Sequence, residues 1–317
     1  MTILIDQHTR VLVQGITGRE ASMVTRYIVE YGTQVAGGVT PGKGGQTVHG
    51  VPVFDTVSAL LRHGPANTAL VYVPPGAVLD AVREAIENGI RLVVIITENV
   101  PQHDAMKIHR ISRQAGVTVI GPNSVGMISP AHRVKLGAIG GDNVARCFVP
   151  GSVGVISRSG GMTAETAWMV KKAGFGVSTC ISVGGDPIIG TAPVDLLKLF
   201  QQDNDTEAVV MFAEPGTSFE EDAADFIQGG GFTKPLVAFV AGKFTERMPE
   251  GTVFGHAAAI ISKGMGKPST KMKRLADAGA LIAQSHDDII RLLQQCLRGK
   301  RNEPVRIPAP KQDHLRV

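Results

Sequence analysis

His256 stands in the stretch "VFGHAAAIISKG", with Gly255 before it and three alanines after it. A histidine that only fills a core has bulky neighbours. Small residues instead leave room around the ring and let the backbone enter a narrow site. No histidine, cysteine or carboxylate lies three or four residues away, so a metal site is not expected. The chemistries left open are a general base and a nucleophile that carries a covalent intermediate. A phosphoryl group on the ring would need a seat for its charge. "SRSGG" (157–161) offers one, because Ser157, Ser159, Gly160 and Gly161 lie where a strand-like run opens into a helix-like one. A helix start favours an anion by about 0.3–1 kcal/mol. Glu214 follows another strand-like run and falls on the same edge, within range of the imidazole loop.

Two loops in the first half also suit phosphate. In "QGITGRE", Gly15 and Gly18 let the backbone pass close to an anion at a helix start, but the spacing is G-x-x-G, and Glu20 stands where a third glycine would help. In "TPGKGG", Lys43 is an ammonium among glycines, with no acidic neighbour in sequence. Together they suggest a ligand with a pyrophosphate, for which NAD and coenzyme A both qualify. An NAD oxidoreductase calls for G-x-G-x-x-G and an acidic residue about 20 positions on. The third glycine is missing, and Gly37 and Gly38 occupy the end of the second strand-like run.

The elements that must carry these loops alternate between short β-branched runs and amphipathic stretches, the pattern of βαβ units and a parallel sheet. The strand-like runs are 11–15, 34–39, 68–73, 91–97 and 117–121, then 153–157, 177–183, 208–212, 235–241 and 280–284. The α/β reading therefore has two domains: residues 1–130, then an irregular glycine-rich linker at 131–152, then 153–297. A basic, mobile tail is expected at 298–317. In an open parallel sheet, ligands bind beyond the carboxyl ends of the strands, and every loop singled out above lies there.

Composition narrows the classes. The chain has 317 residues, 43% hydrophobic, with 38 glycines. No apolar run reaches the ~20 residues of a membrane span. The start, "MTILIDQHTR", has no apolar core of a signal peptide. The three cysteines are far apart and lack metal spacing, as in a reduced cytoplasmic protein. From Arg298 onward, six basic and two acidic residues leave four positive charges, the whole formal excess of +4. The body is neutral, which argues against nucleic-acid binding.

Several strings carry a family resemblance over about residues 1–297: "ILID", "VQGITG", "GGVTPGKGG", "GVPVFDTV", "ITE", "GPN", "SRSG", "GGDPI-G", "TEAVVM-E" and "GHA-AII". In these the chain resembles the α subunit of succinyl-CoA synthetase, within the NDP-forming acyl-CoA ligase superfamily. The resemblance implies a Rossmann-like CoA-binding domain followed by a flavodoxin-like ligase domain. It implies that His256 is a phosphohistidine, Glu214 its orienting carboxylate, and Ser159 and Gly160 the seat of its phosphate. Thr17, Gly18, Arg19, Glu20, Lys43, Ile96, Thr97 and Glu98 would hold coenzyme A. A separate β subunit of ATP-grasp fold, in an αβ or α2β2 assembly, would bind ATP or GTP with Mg2+ and supply part of the acid site.

The chain also departs from that pattern. Succinate enzymes of the family have S-R-S-G-T-L-T-Y-E, where this chain has "SRSGGMTAE" and puts Ala164 in the tyrosine's place. Pro215 follows Glu214, where the family string is E-I-G-G. "SRSGGM" and "VFGHA" resemble ATP-citrate lyase and citryl-CoA synthetase. With Gly161 and Ala164 at the acid, a carboxylate bulkier or more polar than succinate is expected. A non-catalytic CoA-binding regulatory subunit is the alternative of a different class.

Overall fold

The computed structural model describes residues 3–249, 251–252, 255–256, 258–261 and 265–298. The basic tail expected beyond Arg298, and part of the stretch around His256, lie outside the described residues.

The first sheet is built from β1 (Arg10–Gln14), β2 (Gln34–Val39), β3 (Thr47–Val48), β4 (Val51–Phe54), β5 (Thr68–Val71), β6 (Leu92–Ile95) and β7 (Thr118–Ile120). Between them run α1 (Arg19–Tyr31), α2 (Val57–His63), α3 (Val78–Glu87) and α4 (Gln102–Ala115). The order is β3-β4-β2-β1-β5-β6-β7, with every pairing parallel except β3 on β4. Counted over the parallel strands alone, this is the doubly wound order 3-2-1-4-5-6, which reverses direction between β1 and β5. The central strands β5 and β6 are buried throughout, as strands covered by helices on both faces must be. Helix α1 buries Ala21, Val24, Thr25 and Ile28, the stripe of a one-sided helix, and stops at Gly32, whose φ of 118° ends the helical path.

The second sheet contains β8 (Met127–Ser129), β9 (Val134–Leu136), β10 (Pro150–Ser157), β11 (Val177–Ser182), β12 (Ala208–Ala213), β13 (Leu236–Val240) and β14 (Leu281–Ala283). Its helices are α5 (Gly160–Lys172), α6 (Pro193–Gln202), α7 (Phe219–Gln228), α8 (Pro268–Asp277) and α9 (Asp288–Arg298). The order is β14-β13-β12-β10-β11-β8-β9. Its parallel part runs 2-1-3-4-5 when read from the β11 side, the flavodoxin-like order, and reverses between β10 and β12.

The stretch expected to link the domains has a different role. Residues 127–136 form a hairpin that pairs antiparallel to β11, and β10 already begins at Pro150. Three-residue strands are too short to show alternation, and the glycines after Leu136 hid them. The same hairpin reaches the first domain: the Thr33 hydroxyl donates to the Lys135 carbonyl and accepts from the Lys135 amide, both at 2.9 Å. One buried cluster runs through both sheets, including Val13, Val94 and Ile96 of the first and Met127, Leu136 and Ile156 of the second. Among the described residues, no helix is long and apolar enough to cross a membrane.

Candidate functional site

The two strand-order reversals fix where the sites form. "QGITG" leaves β1 and "VPPGA" leaves β5, on either side of the first reversal. "SRSGG" leaves β10 and Glu214 leaves β12, on either side of the second.

Gly15 takes φ of 82°, and a β-carbon there would meet the Tyr72 backbone at 3.0 Å. Gly18 caps α1 with no side-chain bond to the helix amides, so the first amides are left for another acceptor. Thr17 donates to Thr40 at 3.3 Å. Thr97 donates to the Val73 carbonyl at 2.8 Å, which joins the loops after β5 and β6. Lys43 is exposed on the loop after β2. That loop does have an acidic neighbour, 11 residues further along: Asp55 accepts from the Gly44 amide at 2.9 Å.

In the second domain, Ser159 caps α5, and its hydroxyl accepts from the Met162 amide at 3.5 Å. The Ser157 hydroxyl donates to the Ser159 carbonyl at 2.9 Å and accepts from the Ser159 amide at 3.2 Å. These bonds fix the turn and leave the Gly160 and Gly161 amides at the helix start, where no intrahelical acceptor exists. Gly160 brings the turn against Val125: a β-carbon there would lie 2.5 Å from Val125 Cγ1.

Glu214 Oε2 accepts from His256 Nδ1 at 2.7 Å. The glutamate side chain is 12% exposed and the histidine 28%. This bond holds the His256 pKa above its ordinary value. Burial opposes the shift, the Glu214 charge adds to it, the Arg158 charge works against it, and Asp186 adds a little. Asp186 is held by the Asn123 amide at 2.9 Å. With Nδ1 engaged by Glu214, Nε2 is the nitrogen that can react. The ring packs on glycine backbone, since a β-carbon at Gly185 would meet Cδ2 at 2.4 Å.

A cavity of about 540 Å3 lies between the two domains and brings the groups together. From the first domain it is lined by Glu20, Ile96, Thr97 and Glu98, and from the second by Ser159, Gly160, Gly161 and His256. Thr17, Gly18, Arg19 and Lys43 do not line it; Thr17 and Gly18 lie on the loop after β1, Arg19 opens α1, and Lys43 lies on the loop after β2. Ala164 lies on the wall of an adjoining cavity of about 380 Å3, which shares Val125, Ala138, Gly160 and Gly161 with the first.

Reading the sequence had left out Tyr72, Asn123, Gly185 and Asp186 as site residues. Tyr72 carries no local signal. Gly185 and Asp186 sit in "GGDPIIG", a loop noted only for its place after a strand. Their nearness to His256 is tertiary. Among the described residues there is no cluster of three or more His, Cys, Asp or Glu able to hold a metal ion.

The CoA binding domain family matches residues 6–99, and the CoA-ligase family matches residues 156–281. The chain is 44% identical over 297 residues to the ADP-forming succinate–CoA ligase subunit alpha 1 of Archaeoglobus fulgidus, covering 94% of this chain and 99% of that one. It is 42% identical over 295 residues to an ADP-forming sulfoacetate-CoA ligase subunit from Acholeplasma, covering 93% and 98%. In fold it matches a solved ATP citrate lyase of Methanosaeta concilii in complex with (3S)-citryl-CoA, with a TM-score of 0.86 at 24% identity. That match covers 98% of this chain, which spans about half (54%) of the lyase chain.

Proposed function

The chain belongs to the family of ADP-forming acid–CoA ligase α subunits, and we propose that in it His256 carries a phosphoryl group from nucleotide to a carboxylic acid, whose acyl group then passes to coenzyme A. The observation that carries this reading is the shared cavity, where the loops of a CoA-binding domain face His256 and the helix start at Ser159–Gly160.

The proposed steps use the geometry of the site. Glu214 fixes the ring through Nδ1, so the Nε2 lone pair attacks the terminal phosphorus of ATP or GTP, and the bond to the diphosphate breaks. The α5 amides and the Ser159 hydroxyl receive the phosphoryl oxygens. An oxygen of the acid's carboxylate then attacks phosphorus, and the P–N bond breaks to leave an acyl phosphate and a free imidazole. The coenzyme A thiol attacks the acyl carbon, and phosphate leaves with the thiol proton. Thr17, Gly18, Arg19, Glu20, Lys43, Ile96, Thr97 and Glu98 hold coenzyme A. The nucleotide and its Mg2+ are held by a separate β subunit of ATP-grasp fold, a reading supported by the relatives being named alpha subunits. The setting is cytoplasmic.

The test is to incubate the chain and its partner with terminally labelled ATP. Acid-labile, base-stable label is expected on the wild type and none on His256→Ala. Equal labelling of both would dispose of the reading.

The acid is a second matter. The cavity beside Ala164 favours a carboxylate bulkier or more polar than succinate, since Gly161 and Ala164 add no bulk to a wall that also carries the polar side chains of Asn143 and Arg146. Sulfoacetate, citrate and succinate compared by kcat/KM decide this; efficient turnover of succinate alone would refute it.

A further inference from the structure

Arg158 is among the largest fully buried side chains of the protein, 1% exposed. It immediately precedes the Ser159 cap of α5. Its Nη1 donates to the Thr217 hydroxyl at 3.2 Å, and its guanidinium lies over the Phe219 ring, 5.2 Å from the centroid. Nε and Nη2 are buried with no hydrogen-bond partner, and no carboxylate among the described residues pairs with it. A cation taken out of water with donors unpaired is costly, so its retention here calls for a reason.

Thr217 supplies one. It stands three residues after Glu214, and its carbonyl accepts from a second buried cation, Lys271 of α8, at 3.0 Å. Lys271 also pairs with Glu220, and with Glu221 at 2.9 Å. Thr217 has φ of 50°, a region that a β-branched residue enters only at a cost, so the turn needs outside support to keep its shape. Gly216, within the same turn, donates to the Gly266 carbonyl at 2.9 Å. A β-carbon at Gly216 would strike the Ala258 carbonyl of the histidine loop at 1.9 Å. The turn that carries Glu214 is therefore pinned by Arg158 on the side of the phosphate seat and by Lys271 on the side of α8.

We infer that Arg158 is a positioning residue that ties the anion seat at Ser159–Gly160 to the Glu214 turn, and that its unpaired charge is held ready for the phosphoryl dianion. The inference rests on the phosphohistidine reading above. Its electrostatic part follows from the groups around the ring. Glu214 and Asp186 face His256 with negative charge, and Glu20 and Glu98 line the same cavity. A dianion placed among four carboxylates needs a cation close by. Among the described residues, Arg158 is a cation whose charge works against the protonated ring of His256.

The test uses the chain assembled with its partner and terminally labelled ATP, comparing Arg158→Met, Arg158→Lys, Thr217→Val, Thr217→Ser and His256→Asn. Arg158→Met and Thr217→Val are expected to slow phosphohistidine formation by about 10- to 100-fold, the worth of a charge-assisted hydrogen bond. The KM for coenzyme A should stay within about twofold, because the CoA loops are untouched. Thr217→Ser keeps the hydroxyl and should restore the rate; Arg158→Lys keeps the charge and should restore part of it. Nitrogen-15 histidine NMR on the chain should show the His256 pKa rising in Arg158→Met. Labelling at the wild-type rate in Thr217→Val overturns the inference, as does a loss shared equally by the KM for coenzyme A. Should Arg158→Met not fold, the contrast between Thr217→Val and Thr217→Ser decides. Label retained on His256→Asn sinks the phosphohistidine reading instead. An unlabelled His256→Asn beside a fully active Thr217→Val sinks only the role of Arg158.

Discussion

The imidazole of His256 occupies the space that a side chain at position 185 would need: a β-carbon on Gly185 would lie 2.4 Å from Cδ2 and 2.7 Å from Nε2. The bareness of the site thus comes from two loops. The histidine loop has small flanks, and the loop after β11 offers backbone where a wall of side chain would otherwise stand.

Gly185→Ala is therefore expected to push the ring off its Glu214 bond without unfolding the domain, since Gly185 is not among the positive-φ glycines and the three atoms nearest the new methyl all belong to the ring. Phosphohistidine formation should fall by at least about tenfold, the worth of a hydrogen bond to a charged group, with the circular dichroism spectrum unchanged. A variant that labels normally would show that the ring has somewhere else to go.

Glu214→Gln removes the charge and keeps an acceptor. The raised His256 pKa should fall, because its largest cause is the bond to this carboxylate. In the wild type, phosphoryl acceptance needs the neutral ring, so the rate should climb as pH rises through the raised value. In Glu214→Gln that climb should move to lower pH, while its plateau drops by about 10- to 100-fold through lost orientation. Stability runs the other way. A raised folded-state pKa contributes stability that is fully present below the unfolded value and is lost as pH rises through the folded one. Urea unfolding across pH 5–8 should show that slope in the wild type and a weaker one in the variant.

Gly15→Ala places a methyl at φ of 82° against the Tyr72 backbone at 3.0 Å. Neither the dihedral nor a main-chain neighbour can yield cheaply, so a stability loss of about 1–3 kcal/mol is expected. Coenzyme A binding, measured by calorimetry, should weaken with it, since the turn opens α1 at the first reversal. Unchanged affinity would separate this turn from the ligand.

Ala164→Tyr would fill part of the cavity of about 380 Å3 beside Gly161. On the reading that this space admits the acid, kcat/KM for citrate or sulfoacetate should fall relative to succinate by about tenfold or more, the scale at which a pocket discriminates by size. Equal losses on all acids would place the acid elsewhere.

Much of this was legible in the chain because it is local. Continuous buried runs such as those of β5 and β6 announce central parallel strands, and glycines and serines after them mark helix starts. His256, Glu214, Ser159 and Gly160 could be singled out as candidates from type and neighbourhood, and the structure brings His256 onto Glu214 and into one cavity with Ser159 and Gly160. The hairpin of Met127–Leu136 was missed, because three-residue strands have no period to read and their pairing partner, β11, lies some 50 residues on.

The sequence by itself determined the alternation of strands and helices, the loops on one edge and the bare flanks of His256, since each depends on residues within a turn or two of one another. Only the tertiary structure decided that Asp186 and Gly185 flank that ring, that Arg158 grips Thr217, and that loops of two domains close on one cavity. Those relations join residues dozens or hundreds of positions apart, and strand order, which sets which loops meet, depends on packing of the whole chain.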